Sequence, residues 1–173
     1  MIEKATMADL DAIESAYREH FAYEREHGAY TAFREGVYPT RHTAETAIQK
    51  GTLYLYREAE ALGGSMIFDR EQPDRYASLR WKVDAPSDKV CVLHLLMVRP
   101  SRAGRGIASA LIRYAIECAE RRGDRAIRLD TGRQNLPAVA LYTKWGFRPI
   151  GTATMDIGGL IPHEGHLFFE KAL

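Results

Sequence analysis

The longest apolar run of the chain, VCVLHLLMV at residues 90–98, is hydrophobic at almost every position. A strand with this pattern is covered on both faces, as a central strand of a sheet is. His94 is the one polar residue in the run. The segment therefore predicts a central strand that carries one histidine, either hydrogen-bonded within the fold or available for chemistry.

An amphipathic helix is predicted next, because apolar side chains recur with the spacing of one helical face. These side chains are Ile107, Ala110, Leu111, Tyr114, Ala115 and Cys118. The pattern places the helix start at Arg105 or Gly106, and Gly123 can end the helix. A strand at 126–131 and a short helix within 132–146 complete a strand–helix–strand–helix order.

The first 89 residues predict outer strands and two helices. The expected elements are strands at 2–5, 52–57 and 64–69, a helix carrying Leu10, Ile13, Tyr17 and Phe21, and a short helix at 43–50. Gly63 and Gly64 predict a turn between two of these strands. Residues 70–89 are polar and irregular, so Tyr76 and Trp81 are expected in a further strand or a lid.

Composition narrows the possible partners. The 173 residues carry a net charge of +1, which offers no broad electrostatic surface for nucleic acid or an anionic membrane. We expect one domain over 1–173. The absence of an apolar run of membrane-spanning length predicts a cytoplasmic protein. Cys91 and Cys118, the only cysteines, are expected to be reduced core residues.

The segment between strand and helix predicts a phosphate site. Gly104, Arg105, Gly106, Ile107 and Ala108 bring backbone N–H groups to a helix N-terminus. Such an array of donors suits a pyrophosphate. A nucleotide-like cofactor is the first functional inference.

Two classes of cofactor fit this site. Gly104 and Gly106 follow a strand, and Asp130 ends the next one, as in dinucleotide-binding folds. The position of the third glycine is Ser109, however, and the 43 residues after Asp130 are too few for a second dinucleotide half. An NAD(H)-dependent oxidoreductase is therefore the less favoured alternative.

Four segments resemble the GCN5-related N-acetyltransferase (GNAT) superfamily. They are LMV at 96–98, AGRGIA at 103–108, Asn135, and LYTKWGF at 141–147. Ala103 departs from the Gln or Arg that this family has at the start of its phosphate loop. The contribution of that side chain is lost or replaced by Arg102 or Arg105. The resemblance is specific over about 90–152.

The resemblance implies the fold and the cosubstrate. It implies an α/β (α+β) domain with a mixed, mostly antiparallel central sheet flanked by helices. The strands at 90–98 and 126–131 would be parallel and would splay apart around acyl-CoA. Acetyl-CoA would be the cosubstrate, with no metal, and the residues implied to bind it are Leu96, Met97, Val98, Ala103, Gly104, Arg105, Gly106, Ile107, Ala108, Asn135 and Tyr142.

The implied chemistry is acetyl transfer to an amine. Tyr142 lies where the family has a tyrosine that donates a proton to the leaving thiolate. An alkyl amine is mostly ammonium at neutral pH, so a base or a water chain must accept its proton. His94, with a pKa near neutrality, and Asp130, at the end of the next strand, are the two candidates. The sequence leaves the choice between them open.

The expected activity is direct transfer of acetyl to a primary amine of a small molecule or peptide in a ternary complex. A non-catalytic acyl-CoA sensor is the other alternative. Aromatic residues of the region 17–81, with Glu24, Glu26 and Glu35, predict an amine pocket. The aromatic residues are Tyr17, Tyr23, Tyr30, Phe33, Tyr38 and Trp81. A homodimer is a family-based expectation only.

His163 and His166 have a spacing that occurs in metal sites. Pro162 and Gly165 indicate a loop there instead of a helix, and no third ligand is evident. No metal site is predicted.

Overall fold

The computed structural model describes residues 1–173. Its seven strands form one sheet in the order β1-β2-β3-β4-β5-β7-β6. The strands are β1 Ile2–Lys4, β2 Leu53–Glu58, β3 Ala61–Asp69, β4 Val90–Val98, β5 Ala126–Gly132, β6 Arg148–Ile157 and β7 Ile161–Ala172. The β4–β5 pair is parallel, and every other pair is antiparallel. The predicted mixed, mostly antiparallel sheet is confirmed.

Helices cover both faces of this sheet. They are α1 Leu10–His27, α2 Arg41–Gln49, α3 Ile107–Arg121 and α4 Leu136–Lys144. In β3, Met66 and Phe68 pack in the cluster that contains α3, whereas Ile67 packs in the cluster that contains α1 and α2. Because side chains alternate along a strand, a sheet buried on both faces needs this continuous run of apolar residues.

The two parallel strands separate after a short paired stretch. Only Val90–Val92 of β4 pair with residues 126–128 of β5. Further along β4, Leu95 has a φ of 44°, in the left-handed region, and the register with β3 shifts. The predicted splay is confirmed, and it leaves β4 backbone groups unpaired on the side that faces β5.

The turn predicted at Gly63 and Gly64 is wrong. The β2–β3 turn is formed by Ala59 and Glu60, since Glu58 pairs with Ala61, and both glycines lie inside β3. A Cβ atom on Gly64 would lie 2.8 Å from the carbonyl oxygen of Met97 in β4. These glycines therefore allow close packing of the sheet.

The segment between β3 and β4 contains no strand, so the strand alternative for Tyr76 and Trp81 is wrong. It contains short 3₁₀ turns at Asp74–Ser78 and Ser87–Lys89. The Glu170 carboxylate accepts hydrogen bonds from the backbone N–H groups of residues 82 and 83, at 2.8 and 2.9 Å. The Arg128 guanidinium lies 4.3 Å from the Trp81 ring centroid. Contacts to β5 and β7 thus fix this segment.

The structure also bears on the predictions for the two histidines and the two cysteines. His163 and His166 lie within β7 and not in a loop. Both cysteines are free. Cys91 is buried as predicted, whereas Cys118, also predicted to be a core residue, is only partly buried. No helix is both long enough and apolar enough to cross a bilayer.

Candidate active site

Two cavities meet where β4 and β5 separate. The first, of about 690 Å³, is lined by the end of β4, the segment 100–109 and α4, and we call it the loop groove. The second, of about 590 Å³, is lined by α2, the end of β3 and the β6–β7 turn, and we call it the acidic cavity. Seven residues line both: Thr31, Phe33, Leu93, Leu95, Asp130, Thr131 and Asn135. A molecule in one cavity can therefore touch a molecule in the other.

The predicted phosphate loop forms one wall of the loop groove. Gly104 and Gly106 have φ values of 77° and 76°, a region in which residues with a Cβ atom are strained. Helix α3 begins at Ile107, one or two residues later than predicted. The unpaired N–H groups of its first turn give this end of the groove partial positive charge.

Most of the residues predicted to bind the cofactor line the loop groove. They are Leu96, Met97, Val98, Ala103, Gly104, Gly106, Ile107, Ala108, Asn135 and Tyr142. Arg105 does not line it, and its guanidinium lies 3.4 Å from the Glu58 carboxylate. Arg102 does line the groove, 3.3 Å from the same carboxylate.

Two of these residues lie on or beside α4. The Asn135 side chain caps the helix by accepting a hydrogen bond from the N–H of Ala138 at 3.3 Å. Tyr142 is 6% exposed. Burial, together with the charge of Asp130, raises the pKa of the Tyr142 phenol well above its usual value. Tyr142 therefore keeps its proton at neutral pH.

His94 lines the acidic cavity and not the loop groove. Its Nε2 lies 3.2 Å from Oδ1 of Asp69 and 3.1 Å from the carbonyl oxygen of Glu71. Both partners accept hydrogen bonds, so Nε2 carries the proton and the neutral ring keeps its lone pair on Nδ1. Burial lowers the pKa of His94, but the hydrogen bond and charge of Asp69, the charge of Asp130 and the hydrogen bond to the Glu71 carbonyl together outweigh it, leaving the pKa raised.

Asp130 lies at the junction of the two cavities. Its Oδ1 accepts a hydrogen bond from the Tyr76 hydroxyl at 2.6 Å, and its Oδ2 lies 2.9 Å from Nε2 of His166. Neither Tyr76 nor His166 has a predicted role in this site. The sequence signal at His166 is its H-x-x-H spacing with His163, which is a spacing of metal sites.

The predicted aromatic amine pocket is not a single cluster. Tyr38 lines the acidic cavity, Tyr23 and Tyr30 line the loop groove, and Phe33 lines both. Tyr17 and Trp81 line neither cavity, Glu26 and Glu35 are exposed, and Glu24 is buried. The Glu24 carboxylate accepts hydrogen bonds from the backbone of residues 30 and 31 and from the Thr31 hydroxyl. Glu24 therefore fixes the loop after α1.

No group of three or more His, Cys, Asp or Glu side chains is arranged to hold a metal ion. His163 and His166 contact each other instead, with their Nδ1 atoms 3.0 Å apart.

The sequence model of the acetyltransferase (GNAT) family matches residues 10–147. This chain belongs to the GNAT acetyltransferase family. The match includes the loop groove and Tyr142, so the resemblance inferred from the sequence motifs is confirmed.

Curated relatives are similar in sequence to only part of this chain. An uncharacterized N-acetyltransferase of Methanocaldococcus jannaschii is 39% identical over 67 residues, which are 39% of this chain and 30% of the relative. A mycothiol acetyltransferase of Clavibacter sepedonicus is 36% identical over 85 residues, which are 49% of this chain and 27% of the relative. The matches thus span less than a third of these relatives.

Solved GNAT structures match the whole chain. A GNAT family acetyltransferase of Streptococcus agalactiae has a TM-score of 0.83 at 19% identity. The alignment covers 100% of this chain and 95% of the Streptococcus agalactiae chain. The yncA protein of Salmonella typhimurium, solved with its cofactor acetyl-CoA, has a TM-score of 0.69 at 18% identity, covering 100% and 93%. At these identities the likeness shows the fold.

Proposed function

We propose that this GNAT family member transfers acetyl from acetyl-CoA directly to a primary amine of a small molecule or peptide in a ternary complex. The observation that carries the proposal is the junction of two cavities at Asp130, Leu93 and Leu95. Two substrates bound in adjoining cavities can react without a covalent enzyme intermediate, because binding supplies proximity and orientation.

The loop groove fits acetyl-CoA. The N–H groups at the start of α3 suit a pyrophosphate, and the Arg102 guanidinium adds a positive charge. The unpaired backbone of β4 near Met97 and Val98 can hydrogen-bond an extended pantetheine arm as an added strand would. When bound, acetyl-CoA supplies the reactive thioester.

The acidic cavity suits the acceptor amine. Its walls include the carboxylates of Asp69, Glu71, Asp130 and Asp156, against the single ammonium of Lys50. Lys50 already pairs with Glu71 at 2.8 Å. The remaining negative charge attracts a protonated amine, and the Asp130 carboxylate attracts the ammonium group of that amine to the junction.

Two side chains would carry the proton transfers of this reaction, and a third would orient the amine. We propose that His94 accepts the ammonium proton at Nδ1, directly or through water, because Nε2 is occupied by Asp69 and Glu71. Asp130 orients the amine at the junction. Tyr142 then donates its proton to the leaving sulfur.

Initial-velocity kinetics test the ternary complex. With acetyl-CoA and the amine both varied, the proposal predicts intersecting reciprocal plots and no acetylated protein after incubation with acetyl-CoA alone. Parallel plots and a trapped acetyl-enzyme would contradict direct transfer. Binding of acetyl-CoA without turnover of any amine would favour the sensor alternative.

A further inference from the structure

The carboxylate of Asp130 is held by a separate donor on each oxygen. The Tyr76 hydroxyl lies 2.6 Å from Oδ1, and Nε2 of His166 lies 2.9 Å from Oδ2. Tyr76 is 1% exposed and His166 is 3% exposed, so both donors are taken out of water. Because each carboxylate oxygen has two acceptor positions, one on each remains for a substrate.

The register of β5 and β7 brings His166 to Asp130. Gly132 of β5 is directly opposite His166, and Asp130 is opposite Phe168. His166 is therefore the diagonal neighbour of Asp130 on one face of the sheet, a separation that a long side chain can bridge. This contact depends on β7 lying between β5 and β6.

The contact with His163 determines that Nε2 of His166 carries a proton. Their Nδ1 atoms are 3.0 Å apart, so one of these two nitrogens donates to the other. Burial, with the charges of His166 and Arg133, lowers the pKa of His163, which is therefore neutral at neutral pH. Whether His166 accepts from His163 as a neutral ring or donates to it as a cation, its Nε2 carries a proton toward Asp130.

We propose that His166, backed by His163, is a positioning residue that fixes the Asp130 carboxylate at the junction of the two cavities. The inference rests on the proposed role of Asp130 in orienting the amine. The last torsion of an aspartate side chain has a broad energy profile, so a carboxylate without these donors can rotate. Together, His166 and Tyr76 hold both oxygens in one orientation.

Two substitutions of His166 separate positioning from folding. His166→Gln keeps an N–H donor, and His166→Leu removes it with similar bulk. For the leucine variant we expect kcat to fall roughly tenfold or more, with the dissociation constant of acetyl-CoA within about twofold of wild type. The glutamine variant should recover most of the lost kcat. A leucine variant with wild-type kcat would overturn the proposal, as would equal losses in both variants.

A spectroscopic measurement needs no acceptor and keeps the test valid if His166→Leu does not fold. In ¹⁵N-histidine NMR of the wild-type protein we expect His166 to be protonated at Nε2, and its Nε2–H resonance to shift in Asp130→Asn. Tyr76→Phe, which leaves His166 in place, should retain the Nε2–H signal. A His166 ring without a proton on Nε2, or one insensitive to Asp130→Asn, would overturn the contact.

Kinetics of Asp130→Asn distinguish this proposal from the proposed function. If Asp130→Asn lowers kcat and His166→Leu does not, the positioning role is wrong and the role of Asp130 stands. If Asp130→Asn leaves kcat unchanged, the orienting role of Asp130 is wrong, and the positioning role fails with it.

Discussion

Gly64 of β3 provides a quantitative test of how the fold builds the loop groove. A Cβ atom on Gly64 would lie 2.8 Å from the Met97 carbonyl oxygen and 3.1 Å from Cγ2 of Ile107. The first distance is about 0.6 Å short of ordinary contact at 3.4 Å. Both neighbours lie within packed elements, so Gly64→Ala must displace β4 or the start of α3.

Overpacking of this kind costs about 1–3 kcal/mol. Replacing glycine also restricts the unfolded chain, which returns roughly 0.4–1 kcal/mol. A net loss of about 1–2 kcal/mol corresponds to a fall in Tm of roughly 2–8 °C for a chain of this size. Since Met97 is a proposed partner of the pantetheine arm, acetyl-CoA should also bind several-fold more weakly.

Thermal unfolding followed by circular dichroism, with titration calorimetry for acetyl-CoA, measures both effects. Gly151→Ala in β6 is the matched control, because no atom lies within 4 Å of the added Cβ and its φ is not positive. The control should keep or slightly raise Tm. If Gly64→Ala is as stable as Gly151→Ala and binds acetyl-CoA equally well, the close β3–β4 packing does not shape the groove.

Three further predictions concern the reaction and the segment between β3 and β4. Tyr142→Phe should lower kcat on the order of a hundredfold without changing acetyl-CoA affinity in calorimetry, and an unchanged kcat would remove Tyr142 as the acid. For wild type, kcat/KM should rise as pH increases through the raised pKa of His94, because only the neutral ring accepts a proton. Asp69→Asn removes the charge that raises this pKa, so the midpoint should move to lower pH, and a shift to higher pH would contradict His94 as the base. Glu170→Gln removes the negative charge 3.1 Å from the buried Arg128 guanidinium and should cost about 3–5 kcal/mol in urea unfolding, whereas a loss below about 1 kcal/mol would show that this ion pair does not anchor the segment.

Elements with a strong local pattern could be predicted from the sequence. The apolar run of β4 and the stripe of α3 are properties of consecutive residues, and the structure has both within one or two residues. Gly104 and Gly106 could be assigned to a phosphate loop because they lie between an apolar strand and the start of a helical stripe. Gly63 and Gly64 were misinterpreted because glycine serves both turns and close packing, and only the position of Met97 distinguishes these roles.

Contacts between distant parts of the chain could not be predicted. The segment between β3 and β4 is fixed by Glu170, which is 88 residues from Lys82 along the chain. The contact of His166 with Asp130 follows from the insertion of β7 beside β5, which no local pattern indicates. The choice of Nδ1 as the nitrogen of His94 that would accept a proton depends on the two distant groups, Asp69 and the Glu71 carbonyl, that contact Nε2. Each of these features belongs to tertiary structure.

Acetyl transfer itself is the most direct test of the central claim. The purified protein is incubated with acetyl-CoA labelled with ¹³C in the acetyl group and with polyamines, amino acids, aminoglycoside-type amines or peptides. Mass spectrometry then follows the amines while a thiol reagent follows free CoA. We expect one labelled N-acetyl amine for each CoA released. Release of CoA without a labelled amide, or protection from unfolding by NAD(H) and not by acetyl-CoA, would contradict it.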